Sequence, residues 1–386
     1  MSETMTAGQA TRRASALPRL WPAVIVIGVA LAIGAQSAPT PIQNLELRAR
    51  TLIRLGESCG RRVMSVAWLD DGSLLLGSDK GVWVYDLMSR SARQVVKGAP
   101  IPEGIGYAMR VATDGQSAIA VSPQMEQFAF RVKDGKRIFA RASRDFYVLD
   151  AALRGDRLYV MGWPSGPSGA KNAAGGAVWS GPAGGDFSHL LPVHSIHSGP
   201  EAVSLFNDSV LPHGGAMAFD ADGNMNVVTS AEPGVFRYAP DGRLVGILGG
   251  ALSELVITRM HDVNFTFGSR PEERYRQIIN AQPTVDGLVA SPEGPAILVR
   301  IAQTAKIRWQ LWYPGPVRTR ARVSLDVERP GPFGHMACSA RGRSLACVFD
   351  QPVTAAAGAA KSRDEAVLGL FDLPRLSPTG TTAGTH

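Results

Sequence analysis

Cysteine, lysine and charge are all scarce in this chain, and each scarcity excludes something. Only Cys59, Cys338 and Cys347 are present in 386 residues, with no CxxC pair and no Cys/His spacing, so a structural zinc finger has no ligands. Neither HExxH nor GxSxG occurs, which leaves zinc-peptidase and nucleophile-elbow chemistry unsupported. Gly104-Ile-Gly106 lacks the third glycine and the strand-to-helix setting of a dinucleotide loop. Charged residues make up 19% of the chain, against about 25% in an ordinary globular domain. That argues against a solvated coiled coil or a disordered, charge-rich protein. All but seven of the basic residues are arginine, and the net charge is +7. The densest basic run, Arg318, Arg320 and Arg322, alternates at period two and so lies on one face of a strand. It reads as a solvated outer strand. A nucleic-acid partner is not expected, because no basic stripe interleaved with aromatics exists. Beyond Ala38 no apolar run is long enough to span a bilayer.

What is abundant points to turns. Forty-two glycines and 26 prolines fit many tight reversals rather than long helices. The first 38 residues read differently. Arg12, Arg13 and Arg19 precede the uncharged run Ala23–Ala35, then small residues and Pro39. A positive n-region, an apolar h-region and small residues describe a secretory signal. Taken from Leu20 to Ala38, the same run leaves a single-pass membrane anchor open. In both cases the arginines stay in the cytoplasm and the rest is exported. The expected address is therefore the periplasm or the extracytoplasmic face of the inner membrane.

A local pattern then recurs: an apolar strand, a turn with glycine after Asp, Glu or Arg, and a second apolar strand. Its turn glycines are Gly72, Gly115, Gly155, Gly223, Gly294 and Gly342, the first three about 40 residues apart. Third strands follow in Gly81–Leu87, Phe128–Gly135, Gly234–Gly242, Ile307–Gly315 and Ala366–Pro374, and some units show a fourth. Four-stranded units at this period predict an all-β, six-bladed β-propeller. A seventh blade built on Asp262–Phe267 remains open. The last blade shows three strands, and the spare strand at Leu45–Leu55 would complete it and close the ring. The expected organisation is a signal or anchor over 1–38, the propeller over 39–373 and a disordered tail over 374–386.

Within the fourth unit, Phe219-Asp-Ala-Asp-Gly-Asn, Val227-Val-Thr-Ser and Gly234-Val-Phe-Arg-Tyr-Ala-Pro-Asp-Gly-Arg-Leu carry a family likeness. The stretch Ala216–Leu248 resembles an NHL-type blade, of the group that includes gluconolactonase-like six-bladed propellers. The resemblance implies the fold, and it admits a metal in the channel, which some six-bladed relatives of this type use. No catalytic motif transfers position by position.

Blade strands alternate in direction from the channel outward. Connections between second and third strands, and between successive blades, therefore share one face. The long segments 164–176, 195–212, 251–284 and 350–365 are all of this kind, so that face is the expected working surface. Pro271–Asn280 reads as a short helix within the third of these segments.

Histidines and carboxylates gather near the same connections. His189, His194, His197 and Glu201 lie close together in sequence. His213, Asp286 and His335 each fall just before an inner strand, where they would converge on the channel mouth, with Glu103 slightly before another and His261-Asp262 in a long connection. The candidate binding set is Glu103, His213, His261, Asp262, Asp286 and His335. Of these, His213, His261 and His335 could ligate one divalent ion, Zn or Ca, that polarises a lactone or ester carbonyl or activates water. The competing expectation is that no cofactor binds and the loops contact an envelope protein or a glycan. A binding or scaffold module is thus the leading reading, and a metal-dependent hydrolase, lactonase or lyase the alternative. Trp163, Trp179, Trp309 and Trp312 read as packing between blades.

Overall fold

A computed structural model describes residues 42–377, leaving out 124–125, 143–145, 165–174, 186–189, 208–214, 230, 233, 250–282, 304–305, 317–318, 331–333 and 354–362. The signal or anchor, His213, His261, Asp262, the candidate seventh blade and the Pro271 helix lie outside the described residues.

The chain enters through two short strands, β1 (Gln43–Leu47) and β2 (Thr51–Arg54). Blade one is β3 (Val63–Trp68), β4 (Ser73–Ser78), β5 (Gly81–Asp86) and β6 (Ser91–Lys97). Blade two is β7 (Arg110–Thr113), β8 (Ser117–Val121), β9 (Glu126–Arg131) and β10 (Arg137–Ala142). Blade three is β11 (Phe146–Arg154), β12 (Arg157–Pro164), β13 (Gly176–Pro182) and β14 (Leu191–Ser195). One helix, α1 (Pro200–Asn207), lies between it and blade four, which is β15 (Gly215–Phe219), β16 (Met225–Thr229), β17 (Val235–Tyr238) and β18 (Leu244–Leu248). Blade five is β19 (Thr284–Ser291), β20 (Gly294–Gln303), β21 (Lys306–Pro314) and β22 (Thr319–Pro330). Blade six is β23 (Met336–Arg341), β24 (Ser344–Val353) and β25 (Arg363–Asp372).

Each blade is an antiparallel meander. The inner strands touch one another in the cyclic order β3, β7, β11, β15, β19, β23 and back to β3, so the ring is closed with six blades. The tight connections of blade two (Asp114–Gln116) and blade three (Gly155–Asp156) need left-handed backbone, which Gly115 (φ 93°) and Gly155 (φ 56°) supply. The core is not one mass. It runs as apolar clusters wedged between neighbouring blades, as where Phe349 and Phe371 of blade six meet Trp309 and Leu311 of blade five.

Closure differs from the sequence expectation in one respect. The stretch read as a single spare strand divides. β2 pairs antiparallel with β25, Thr51 opposite Leu370 and Arg54 opposite Val367, and supplies the fourth strand of blade six. β1 instead pairs parallel with β22 of blade five, Gln43 opposite Ala321. The break falls at Arg48–Arg50, whose charge does not suit a buried strand. Arg50 turns to Asp372, 3.1 Å away, while Leu47 and Ile53 bury on either side of it. One segment thus ties two blades together. It also covers β22, so Arg320 and Arg322 are half-buried rather than on an outermost strand. Arg322 stacks over Trp312 and Arg320 donates to the Glu293 carbonyl. Residues 374–377, assigned to the tail by sequence, belong to the packed ring: Leu376 is buried, and Ser377 exchanges hydrogen bonds with Gln43.

Cys338 and Cys347 stand directly opposite on β23 and β24 and form a disulfide, while Cys59 is buried and takes no part in a disulfide. Cross-linking two positions nine apart in sequence removes unfolded-state freedom, which stabilises by about 2–3 kcal/mol in the chain-entropy account. The double variant Cys338→Ala/Cys347→Ala should lower the urea midpoint by that equivalent. Reductant should lower the wild type similarly and leave the variant unchanged.

Candidate functional site

The central channel holds a cavity of about 350 Å³, lined by the inner strands of all six blades. Counting four residues back from the residue that closes each inner hairpin (Leu69, Asp114, Arg154, Asp220, Ser291 and Arg341) gives one residue per blade at the same level: Ser65, Arg110, Asp150, Ala216, Gly287 and Ala337. Blades one to three contribute a hydroxyl, a guanidinium and a carboxylate. Blades four to six contribute two methyl groups and a glycine. Two residues nearer the hairpins the layer reads Ala67, Ala112, Ala152, Ala218, Val289 and Ser339, all of them lining residues. Small side chains there are why a chamber exists.

Arg110 forms the floor. It lies on blade two and donates to the backbone carbonyl of Asp286 on blade five, 3.3 Å away across the channel. The Asp150 carboxylate accepts from the N–H groups of Ala151 (2.9 Å) and, on the next blade, Met217 (3.2 Å). Burial pushes the Asp150 carboxyl above its ordinary value, and the Arg110 charge and these two N–H groups pull it part of the way back. Ser65 is 3% exposed, and its Oγ has no hydrogen-bond partner. From this floor the chamber extends towards the inner hairpins, at whose level Leu69, Asp114, Arg154 and Arg341 line it. Three rim contacts bind neighbouring blades: Asp114 accepts from the Gly155 N–H, Arg341 meets Asp71, and Trp68 donates to the Ser339 carbonyl. Arg154 stacks over Phe219 of blade four.

The candidate residues proposed from sequence are distributed differently. Asp286 lies inside β19, at a β-bulge between Val285 and Gly287, rather than ahead of the strand. It is fully buried. One carboxylate oxygen accepts from the Trp309 indole at 2.9 Å and the other lies 3.7 Å from Arg300. His335 precedes β23, and its Nε2 contacts the Met64 carbonyl of blade one. Glu103 is exposed, in a turn between blades one and two. Among the described residues no three His, Cys, Asp or Glu side chains assemble as a metal-binding group. With His213 and His261 outside them, the described members of the set are seen in separate places.

His194 has a second, wholly buried setting. Its Nδ1 lies 2.6 Å from the Tyr238 hydroxyl and its Nε2 2.9 Å from Glu232. The other Glu232 oxygen accepts from the His197 N–H at 2.7 Å. This chain joins blade three to blade four, and burial, with the nearby Glu232 charge, lifts the Tyr238 hydroxyl to about 12. Both ring nitrogens are used, so its role is as a latch between blades. Trp163, Trp309 and Trp312 are buried among apolar side chains, in keeping with packing.

At the end of β24 burial raises Asp350 to about 6; Arg329 and Arg62 oppose the rise and Asp364 adds to it. A carboxylate whose folded pKa lies above its unfolded one holds its proton more tightly when folded. Its contribution to stability is full below about pH 4 and lost as the pH rises through 6. Asp350→Asn should remove that slope, an effect on the order of 2 kcal/mol between pH 4 and 7. Chemical denaturation of both proteins across that range reads it.

The signal that could have exposed Arg110, Asp150 and Ser65 was their common distance from the inner hairpin. It becomes visible once hairpin lengths are known blade by blade. No family model matches the chain, and no curated protein matches it, so the NHL-type likeness of Ala216–Leu248 has no family behind it. A crystal structure of the Myceliophteria thermophila Cps50 (Swd1) beta-propeller domain superposes with a TM-score of 0.42 at 12% identity, over 85% of this chain and 100% of that one. A crystal structure of a member of the duf4221 family from Bacteroides vulgatus gives 0.49 at 9% identity, over 85% and 98%. At these scores the likenesses carry no argument about function, and the six-bladed ring rests on the strand pairing itself.

Proposed function

We propose that the chain is an exported binding or scaffold module whose loop-rich face engages an envelope protein or a glycan. The observation that carries this reading is the placement of the long connections. The strands flanking 165–174, 196–214, 249–283 and 354–362 all end on the face opposite the inner hairpins, which are kept short in every blade. A rigid ring with its length invested on one rim is the usual way a propeller presents a recognition surface. Two further features support the address. The Cys338–Cys347 disulfide suits an oxidising compartment, and the Ala23–Ala35 run suits export.

The test is affinity capture from envelope extracts with the full chain and with a variant in which 251–282 is replaced by a short linker, leaving Thr284 and β19 intact. The variant should keep the wild-type melting temperature and lose the captured partner. An unchanged partner with the ring intact would contradict the reading.

A further inference from the structure

We infer that the central channel is a binding site for a small zwitterion, a free α-amino acid, entering from the inner-hairpin face. This goes beyond the loop-rich face and does not depend on it. The inference rests on what two neighbouring blades place at one level: Arg110 and Asp150, facing Ala216, Gly287 and Ala337 across the ring.

A cation and an anion sit side by side there, because β7 and β11 are neighbours. A ligand with a single charge gains from one and loses to the other. A ligand whose carboxylate and ammonium are one carbon apart satisfies both, and in a confined site away from bulk water each interaction is stronger than at the surface. The order around the ring fits this. The guanidinium of Arg110 favours a carboxylate, with the planar geometry to hold it. The Ser65 hydroxyl, on the blade before, packs against Gly77 of its own blade and is closed off from the chamber. Asp150, on the blade after, has one N–H on each oxygen, and each oxygen keeps a further lone pair for an ammonium. Asp150 is half-buried and open to the chamber, whereas Asp286 is sealed behind Trp309 and Arg300. The side chain of the ligand then points along the layer of Ala67, Ala112, Ala152, Ala218, Val289 and Ser339. That layer offers space and little polarity, so small apolar or hydroxyl side chains suit it best. A chamber of 350 Å³ is at the lower end of the roughly 300–1,000 Å³ used for small-molecule sites.

The experiment is calorimetric titration of the full chain with glycine, alanine and serine, beside acetate, methylammonium and glucose as probes that lack one or both charges. The amino acids should bind and raise the melting temperature. Acetate and methylammonium should each bind at least about tenfold more weakly, and glucose should give no heat at about 10 mM. Asp150→Asn should weaken glycine at least about tenfold. Absence of amino-acid binding to the wild type at about 10 mM would overturn the assignment. So would acetate binding as tightly as glycine, or full glycine affinity in a folded Asp150→Asn variant. None of these results touches the capture experiment at the opposite face.

Discussion

Deleting residues 43–54 should unfold the whole ring rather than fray one end of it. The deleted segment buries Leu47 and Ile53, and truncating a buried aliphatic side chain costs about 2–5 kcal/mol. It also removes the ladder of β1 on β22 and that of β2 on β25, leaving two edges exposed at adjoining blades. Together these losses approach the roughly 5–15 kcal/mol by which a whole domain is stable. The deletion should therefore give an aggregating product with no cooperative thermal transition. Leu47→Ala and Ile53→Ala, each intact in backbone, should each lower stability by about 2–4 kcal/mol while keeping a single transition. If the deletion variant melted cooperatively within a few degrees of the wild type, the segment would be dispensable and the closure argument wrong.

Asp286→Ala should be the most damaging single change in the channel wall. The carboxylate is fully buried between Trp309 and Arg300, and Arg300 is itself 2% exposed, held by Thr284 and the Gly334 carbonyl. Removing the acid leaves a buried guanidinium without its counter-charge and an indole N–H without its acceptor, a loss of about 3–5 kcal/mol. For a domain of this size that corresponds to a fall of roughly 5–10 °C in melting temperature. Asp286→Asn keeps an acceptor for Trp309 and removes only the charge, so it should lose less than the alanine variant. Equal losses would mean that the charge on Asp286 accounts for the whole effect and that the hydrogen bond from Trp309 adds nothing.

These two cases also show which parts of the molecule can be read from sequence. Turn glycines such as Gly115 and Gly155 mark hairpins because the backbone conformation leaves few alternatives, and from them follow blade number and strand order. The stretch Leu45–Leu55 alternates like one strand, yet two arginines and an alanine between its apolar halves divide it between two blades. Periodicity reports that a segment is a strand; it does not report which edge the strand joins. The same limit applies to the channel. Asp286 looked like a residue at a mouth, and a bulge carries it into the wall, where an indole and an arginine hold it. Arg110 and Asp150 stand at the same distance from the ends of their inner hairpins, and hairpins of different length hide that common level in the sequence. His194, noted in a run of histidines, finds its partners Glu232 and Tyr238 on the following blade, a pairing that no local spacing encodes.

Hydrogen exchange by mass spectrometry, following peptides from 43–54 together with peptides from β23–β25, tests closure most directly. A ring locked by its own N-terminal segment requires β2 to exchange as slowly as β25, both opening only in global unfolding. Rapid exchange of residues 51–54 while β25 stays protected would show that the ring stands without its clasp, and would contradict the account.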